Sequence, residues 1–287
     1  MKITPLNDLF VVDSGALNTV FTVKNDIATL FDTCLNKDNA RKLSRAVNFN
    51  VGRIINTHSH ADHIGGNSFF ENKFNCKSFI NKREISFCYF PELEPALLYG
   101  GCPFSASKSR FLCATGFNSI DTLENIETDI EIVELFGHSP GHTGFLINNV
   151  LYAGDALFSK EVIEKHKILY LYDVENFVYS LKKIKSLNFE YIVFCHKGII
   201  KKDEAIELIS ENIAHTEKVC EEVLNVLKNY ALTGEEISSE IMLKFNIPFE
   251  TEYFLLVSST IKGYLSYLEK SEKIAHLIDK GVKWKRV

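Results

Sequence analysis

Four short apolar, partly β-branched runs in this chain each stop at a cluster of histidine or aspartate. Residues 51–57 (VGRIINT) lead into His58-Ser59-His60-Ala61-Asp62-His63, and 130–136 (IEIVELF) lead into Gly137-His138-Ser139-Pro140-Gly141-His142. Residues 150–154 (VLYAG) lead into Asp155, and 191–195 (YIVFC) lead into His196. Runs of this length and composition read as buried strands. A fold that gathers four such strand ends at one edge of a sheet holds their polar residues on a rigid support. Two more strands are predicted within 18–33, with a polar turn at Lys24-Asn25-Asp26, followed by a helix over 37–49.

Composition narrows the class. The chain has 287 residues, 46% of them apolar, and a formal charge of −5, which excludes a disordered chain. Fifteen glycines and six prolines exclude a collagen-like or low-complexity one. The length suits one large domain, or one domain and a small appendage. Seven scattered cysteines without a CxxC pair are the usage of a reducing compartment. The first residues lack the apolar core of a secretory signal, and no uncharged apolar run reaches 18 residues. The expectation is a cytoplasmic protein with no membrane partner. Its mild acidity argues against a polyanion as main partner.

The residue types at the strand ends are metal ligands. Imidazole suits zinc and iron, and carboxylate adds a hard anionic donor. In an extended loop His58 and His60 can project the same way, leaving Asp62 and His63 to face a second ion. His142, Asp155 and His196 taken singly read as ordinary turn or polar residues. Together with the first cluster they fit two ions: His58, His60 and His142 on one, Asp62, His63 and His196 on the other, and Asp155 between them.

THSHADHIGG, GHSPGHTG, YAGDALFS and FCHKG, in this order, resemble the successive motifs of the metallo-β-lactamase-fold hydrolase superfamily. The resemblance covers roughly residues 8–215. It implies an α+β fold, a four-layer αββα sandwich with the metals at one edge, and the ligand set just given. It also implies that His138 supports the site without ligating. The last motif, usually GHG, is here Cys195-His196-Lys197-Gly198. His60, where a glutamate would indicate di-iron flavoprotein chemistry, points to two divalent ions, zinc first, with iron or manganese as alternatives. The β-lactam-hydrolysing relatives are secreted, so antibiotic hydrolysis is not the expected role.

Two such ions can lower the pKa of a shared water toward about 7 and supply a hydroxide at neutral pH, with Asp62 orienting it or relaying its proton. The expected activity is hydrolysis of a small ester, thioester or lactone. A phosphodiesterase or endoribonuclease using the same centre is the runner-up, followed by a mono-iron sulfur dioxygenase and by a binding protein with a relic site. GxSxG, GxGxxG and GxxxxGK[ST] are all absent, so neither a serine triad nor a nucleotide site is supported.

Residues 87–118 read equally well as a pocket wall or as a packing element or homodimer contact. Tyr99, Phe104, Tyr170 and Lys197 are the candidate substrate-pocket residues. Beyond about 201 the pattern changes to a long amphipathic helix over 201–230, helices over 234–244 and 250–268, and a terminal hairpin turning at Asp279-Lys280-Gly281. This suggests a catalytic domain over 1–215 and a winged-helix-like appendage over 216–287. The appendage invites a nucleic-acid partner, but eight basic residues against eight acidic ones in 231–287 argue against it.

Overall fold

A computed structural model describes residues 1–15, 17–196 and 198–287. The chain opens with β1 (Lys2–Leu6), β2 (Leu9–Asp13), β3 (Asn18–Lys24), β4 (Ile27–Phe31), α1 (Lys37–Val47), β5 (Asn50–Ile55), α2 (Ala61–Ile64), α3 (Asn67–Phe74) and β6 (Lys77–Ile80). Then come α4 (Ile85–Tyr89), α5 (Leu93–Tyr99), β7 (Ile120–Thr122), β8 (Glu131–Glu134), β9 (Thr143–Ile147), β10 (Val150–Tyr152), α6 (Lys160–His166) and α7 (Val174–Ser186). The rest comprises β11 (Tyr191–Val193), β12 (Ile199–Lys201), α8 (Lys202–Val226), β13 (Leu232–Thr233), α9 (Gly234–Lys244), α10 (Thr251–Lys270), β14 (Ile274–Ile278) and β15 (Val282–Arg286).

The strands β1 to β7 lie in sequence order in one sheet, and β12-β11-β10-β9-β8 form a second. Apolar residues fill both faces of the inner strands. Val20, Phe31 and Ile55 meet Phe145, Ile147 and Tyr152 between the sheets. Their chain neighbours Phe21, Leu30 and Ile54 point the other way and pack with Ala40 and Leu43 of α1 and Phe70 of α3. This period-two partition makes a sheet buried on both sides. On the outer face of the second sheet, Leu151 and Ile192 pack with Phe177 and Leu181 of α7 and Leu208 and Ile209 of α8. The layers are therefore helix, sheet, sheet, helix, as expected from the sequence. The turn between β3 and β4 has Asn25 and Asp26 both at positive φ (53° and 60°), the conformation a two-residue hairpin turn requires.

The C-terminal elements follow the expected order. α8, β13, α9, α10 and the β14–β15 hairpin build a three-stranded sheet, β13-β15-β14, beside three helices. The expected division at 215/216 falls inside α8, which is one continuous helix. Its buried residues run from Ala205 to Val223, and Ile237, Ile241 and Leu265 of the appendage share one apolar core with Leu181 and Leu208. No described helix is long and apolar enough to cross a membrane.

Candidate metal centre

The ends of β5, β8, β10 and β11 open onto one edge of the sandwich. The loop after β5 carries His58 and His60, and α2 carries Asp62 and His63. Two hydrogen bonds set this loop: Asn56 N–H donates to Phe79 O at 2.9 Å, and Thr143 N–H donates to Thr57 O at 2.9 Å. The second bond ties the first sheet to the start of β9. Gly65, just after α2, allows a close approach that a side chain would forbid, because a Cβ there would lie 1.9 Å from Leu35 O.

His58 Nε2 lies 2.9 Å from His60 Nδ1, which lies 2.9 Å from His138 Nε2. The outer nitrogens fix the tautomers. His138 Nδ1 is 3.0 Å from Tyr170 O, a carbonyl that can only accept, so the proton sits on Nδ1 and the Nε2 lone pair faces inward. Thr57 Oγ1 donates to Asp32 Oδ2 at 2.8 Å, and His58 Nδ1, 3.0 Å from it, donates to that hydroxyl. His60 Nε2 faces Glu94 Oε1 at 3.4 Å. The lone pairs of His58 Nε2 and His138 Nε2 therefore both face His60 Nδ1, an arrangement that a single cation can satisfy.

The other half is ionic. Asp62 Oδ1 is 3.8 Å from His63 Nε2, and Asp62 Oδ2 is 3.5 Å from His196 Nε2. Asp155 Oδ2 reaches both halves, at 3.5 Å from His63 Nε2, 3.4 Å from His196 Nε2 and 3.6 Å from His138 Nε2. His63 Nδ1 donates to Asp32 Oδ2 at 2.9 Å. His63 Nε2 and Asp155 Oδ1 are buried with no hydrogen-bond partner among the described residues. Buried polar atoms without partners are costly, and these two, with His142 Nδ1, all belong to residues gathered at this edge. The donor set thus fits two ions: His58, His60 and His138 for one, Asp62, His63 and His196 for the other, with Asp155 shared.

The electrostatics divide the same way. Burial holds His60 down to about 4 and His138 down to about 3, and lowers His58 as well, leaving neutral donors. In the other half burial is outweighed by charge. Asp155 and Asp62 push His196 up to about 10, and Asp62 and Asp155 also raise His63. The same histidines hold both carboxyls below their usual range.

The structure brings His138, rather than the expected His142, beside His58 and His60. The Asp155 backbone N–H donates to His142 Nε2 at 2.9 Å, and His142 Nδ1 is buried with no hydrogen-bond partner among the described residues. Gly137, at φ 127° and packed so that a Cβ would meet Phe177 N at 2.2 Å, turns the chain after β8 and places His138 at the centre. Of the pocket candidates, Tyr170 lies at the site, its ring 5.3 Å from His60 and 5.8 Å from His138. Tyr99 and Phe104 pack on each other at 5.3 Å with exposed rings, while α5 turns Glu94, Pro95 and Leu98 inward. Lys197 lies outside the described residues.

Three supporting carboxylates went unread in the sequence. Asp32 receives Thr57 N–H at 2.9 Å and the Tyr152 hydroxyl at 2.8 Å besides His63. Glu84 receives Ser59 N–H, the Ser139 hydroxyl and Gly141 N–H, joining the two ligand loops. Glu94 faces His60. Asp32 follows the apolar run of β4 as Asp155 follows that of β10, so the same rule would have found it. Cys195 lies behind His63, with Sγ 3.2 Å from the Tyr152 hydroxyl, and burial pushes its thiol up.

The chain is similar to several known proteins. The metallo-beta-lactamase superfamily profile matches residues 13–196. A Caenorhabditis elegans protein named beta-lactamase-like protein 2 homolog is 26% identical over 197 residues, 68% of this chain and 59% of its own length. A hydroxyacylglutathione hydrolase of Shewanella denitrificans is 29% identical over 110 residues, 37% of this chain and 33% of its own. The chain thus spans about three fifths of the first relative and a third of the second. The crystal structure of a metallo-beta-lactamase family protein from Thermus thermophilus superposes with a TM-score of 0.74 at 21% identity, over 98% of this chain and 99% of that one. That alignment includes the C-terminal appendage. With the family profile spanning all four strand ends that supply the ligands, the chain belongs to the metallo-beta-lactamase superfamily.

Proposed function

We propose that this protein is a dinuclear metallohydrolase acting on a small thioester, ester or lactone, with zinc as the resident metal. The carrying observation is the convergence of His58 Nε2, His60 Nδ1 and His138 Nε2 on one side and of Asp62, His63 and His196 on the other, with Asp155 Oδ2 within 3.6 Å of both. Histidine nitrogen and carboxylate oxygen in this ratio suit zinc. The relative named hydroxyacylglutathione hydrolase supports a thioester as the leading substrate class.

Two divalent ions held by these residues would supply Lewis acidity toward a carbonyl oxygen and toward water. The chain's own residues do the rest. Asp62 and His196 are the open members of the set, with side chains 35% and 31% exposed, while His58, His63 and Asp155 are buried. Substrate therefore enters on the Asp62–His196 side. The Asp62 carboxyl, held ionised by His63 and His196 against burial, is a proton acceptor at the mouth of the site. Tyr170 covers the three-histidine half with its ring and fixes His138 with its carbonyl, excluding water there.

The test is elemental analysis followed by a panel of thioester, ester, lactone, β-lactam and phosphodiester substrates. Two zinc ions per chain are expected, with thioester turnover lost on chelation, restored by zinc and abolished in Asp62→Ala. A fully loaded protein that cleaves only phosphodiesters overturns this reading in favour of the runner-up. One iron per chain overturns it in favour of the oxygenase.

A further inference from the structure

We propose that Glu94 is a positioning residue for the three-histidine half of the centre, delivered by α5 and clamped in place by α10 of the C-terminal appendage. The inference does not depend on which substrate the enzyme takes.

His60 is the ligand whose outer nitrogen relies on the 87–118 insertion. The outer nitrogens of His58 and His63 meet Thr57 and Asp32, at the ends of sheet strands, and that of His138 meets a backbone carbonyl. His60 Nε2 has Glu94 Oε1 at 3.4 Å, from a carboxylate only 8% exposed. An imidazole that must offer Nδ1 has to carry its proton on Nε2, and the Glu94 carboxyl, pushed up to about 8 by burial and by Glu84 and Asp62, still presents an acceptor oxygen to that nitrogen whether or not it holds a proton.

α10 fixes both outer partners of this half. Four residues after Glu94, on the same face of α5, Leu98 packs with Leu255 of α10 and with Leu112, and Tyr170 packs against this cluster. Leu171 N–H donates to Thr260 Oγ1 of α10 at 3.2 Å. At Gly263 of α10 a Cβ would stand 3.1 Å from Tyr172 O, so the helix lies directly on the 170–172 segment. That segment supplies the carbonyl that orients His138. The appendage therefore braces His60 through Glu94 and His138 through Tyr170.

The test is zinc competition against a chromogenic chelator near neutral pH, with Glu94→Leu and Glu94→Gln compared to the wild type. Glu94→Leu should weaken one ion by about 10–100-fold and leave the other within about threefold. Glu94→Gln, which keeps an acceptor oxygen facing His60, should retain both ions within about threefold. Adding Glu94→Leu to His196→Ala, which disables the other half, should weaken the remaining ion by a further factor of about 10–100. Retention of both ions by Glu94→Leu, or equal loss of both, overturns the proposal, as does a double variant no weaker than His196→Ala alone. A measurement on the wild type keeps the proposal falsifiable if Glu94→Leu does not fold: nitrogen NMR of the metal-free protein should place the neutral His60 proton on Nε2. A proton on Nδ1 overturns it.

Discussion

The backbone N–H of Asp155 donates to His142 Nε2 at 2.9 Å, a bond through which His142 steadies the shared carboxylate while His138 stands beside His58 and His60. His138→Ala should therefore lose the ion of the three-histidine half, while His142→Ala keeps two ions and loosens Asp155. Elemental analysis after gel filtration separates these outcomes. Two ions in His138→Ala and one in His142→Ala would return the ligand role to His142.

Asp32 collects Thr57 N–H, Thr57 Oγ1–H, Tyr152 O–H and His63 Nδ1–H on one buried carboxylate. Charge-assisted hydrogen bonds to a ligand's outer nitrogen set its orientation and basicity. We expect Asp32→Asn to weaken the ion of the Asp62–His63–His196 half by about 10–100-fold. A chelator titration would show the loss as one weakened ion per chain; unchanged affinity for both would disprove the role.

The four strand ends were legible because a strand followed by a polar residue is a local pattern. The same rule reads Asp32, and only the lack of a histidine beside it hid that residue. Which of His138 and His142 stands beside His58 and His60 was not legible. The choice depends on the Gly137 backbone at φ 127° and on a hydrogen bond from Asp155, thirteen residues beyond His142. Glu84 and Glu94 were hidden for a related reason. Each sits in a short helix or turn with no strand periodicity, and its partner lies 25 or more residues away in sequence. The appendage's element order followed from amphipathic spacing. Around 215/216 that spacing runs on without a break, as one face of α8 stays buried from Ala205 to Val223.

The two halves should respond differently to pH. Burial holds His60 down to about 4 and His138 to about 3, so above roughly pH 5 these imidazoles have no proton to displace, and affinity there changes only through the Glu94 carboxyl, pushed up to about 8 by burial. His196, pushed up to about 10 against burial by Asp155 and Asp62, and His63, also raised, must give up protons when an ion binds. Affinity there should climb as pH rises through neutrality, by up to about tenfold per pH unit for each proton displaced, and level off only near pH 10. Competition titrations at several pH values would show one shallow and one steep ion. Two parallel curves would contradict this division.

Glu84 is fully buried at the junction of the two ligand loops, where it accepts from Ser59 N–H and Oγ–H, Ser139 Oγ–H and Gly141 N–H. All of its hydrogen-bonded partners at this junction are donors, so the site is built for an anion. Glu84→Ala leaves those donors in a place water reaches poorly, and each unpaired buried group costs about 1–3 kcal/mol. The loops can relax to recover part of this, so we expect a net loss of about 3–5 kcal/mol, comparable to breaking a buried ion pair. Glu84→Gln keeps the shape but turns an NH2 toward donors, and should cost about 1–3 kcal/mol. Urea unfolding of the metal-free protein isolates this effect from metal binding, and a loss below about 1 kcal/mol in Glu84→Ala would mean that the loops are held elsewhere. Because the same carboxylate aligns the loop of His58 and His60 with the loop of His138, the weakened fold and a weakened three-histidine half should appear together.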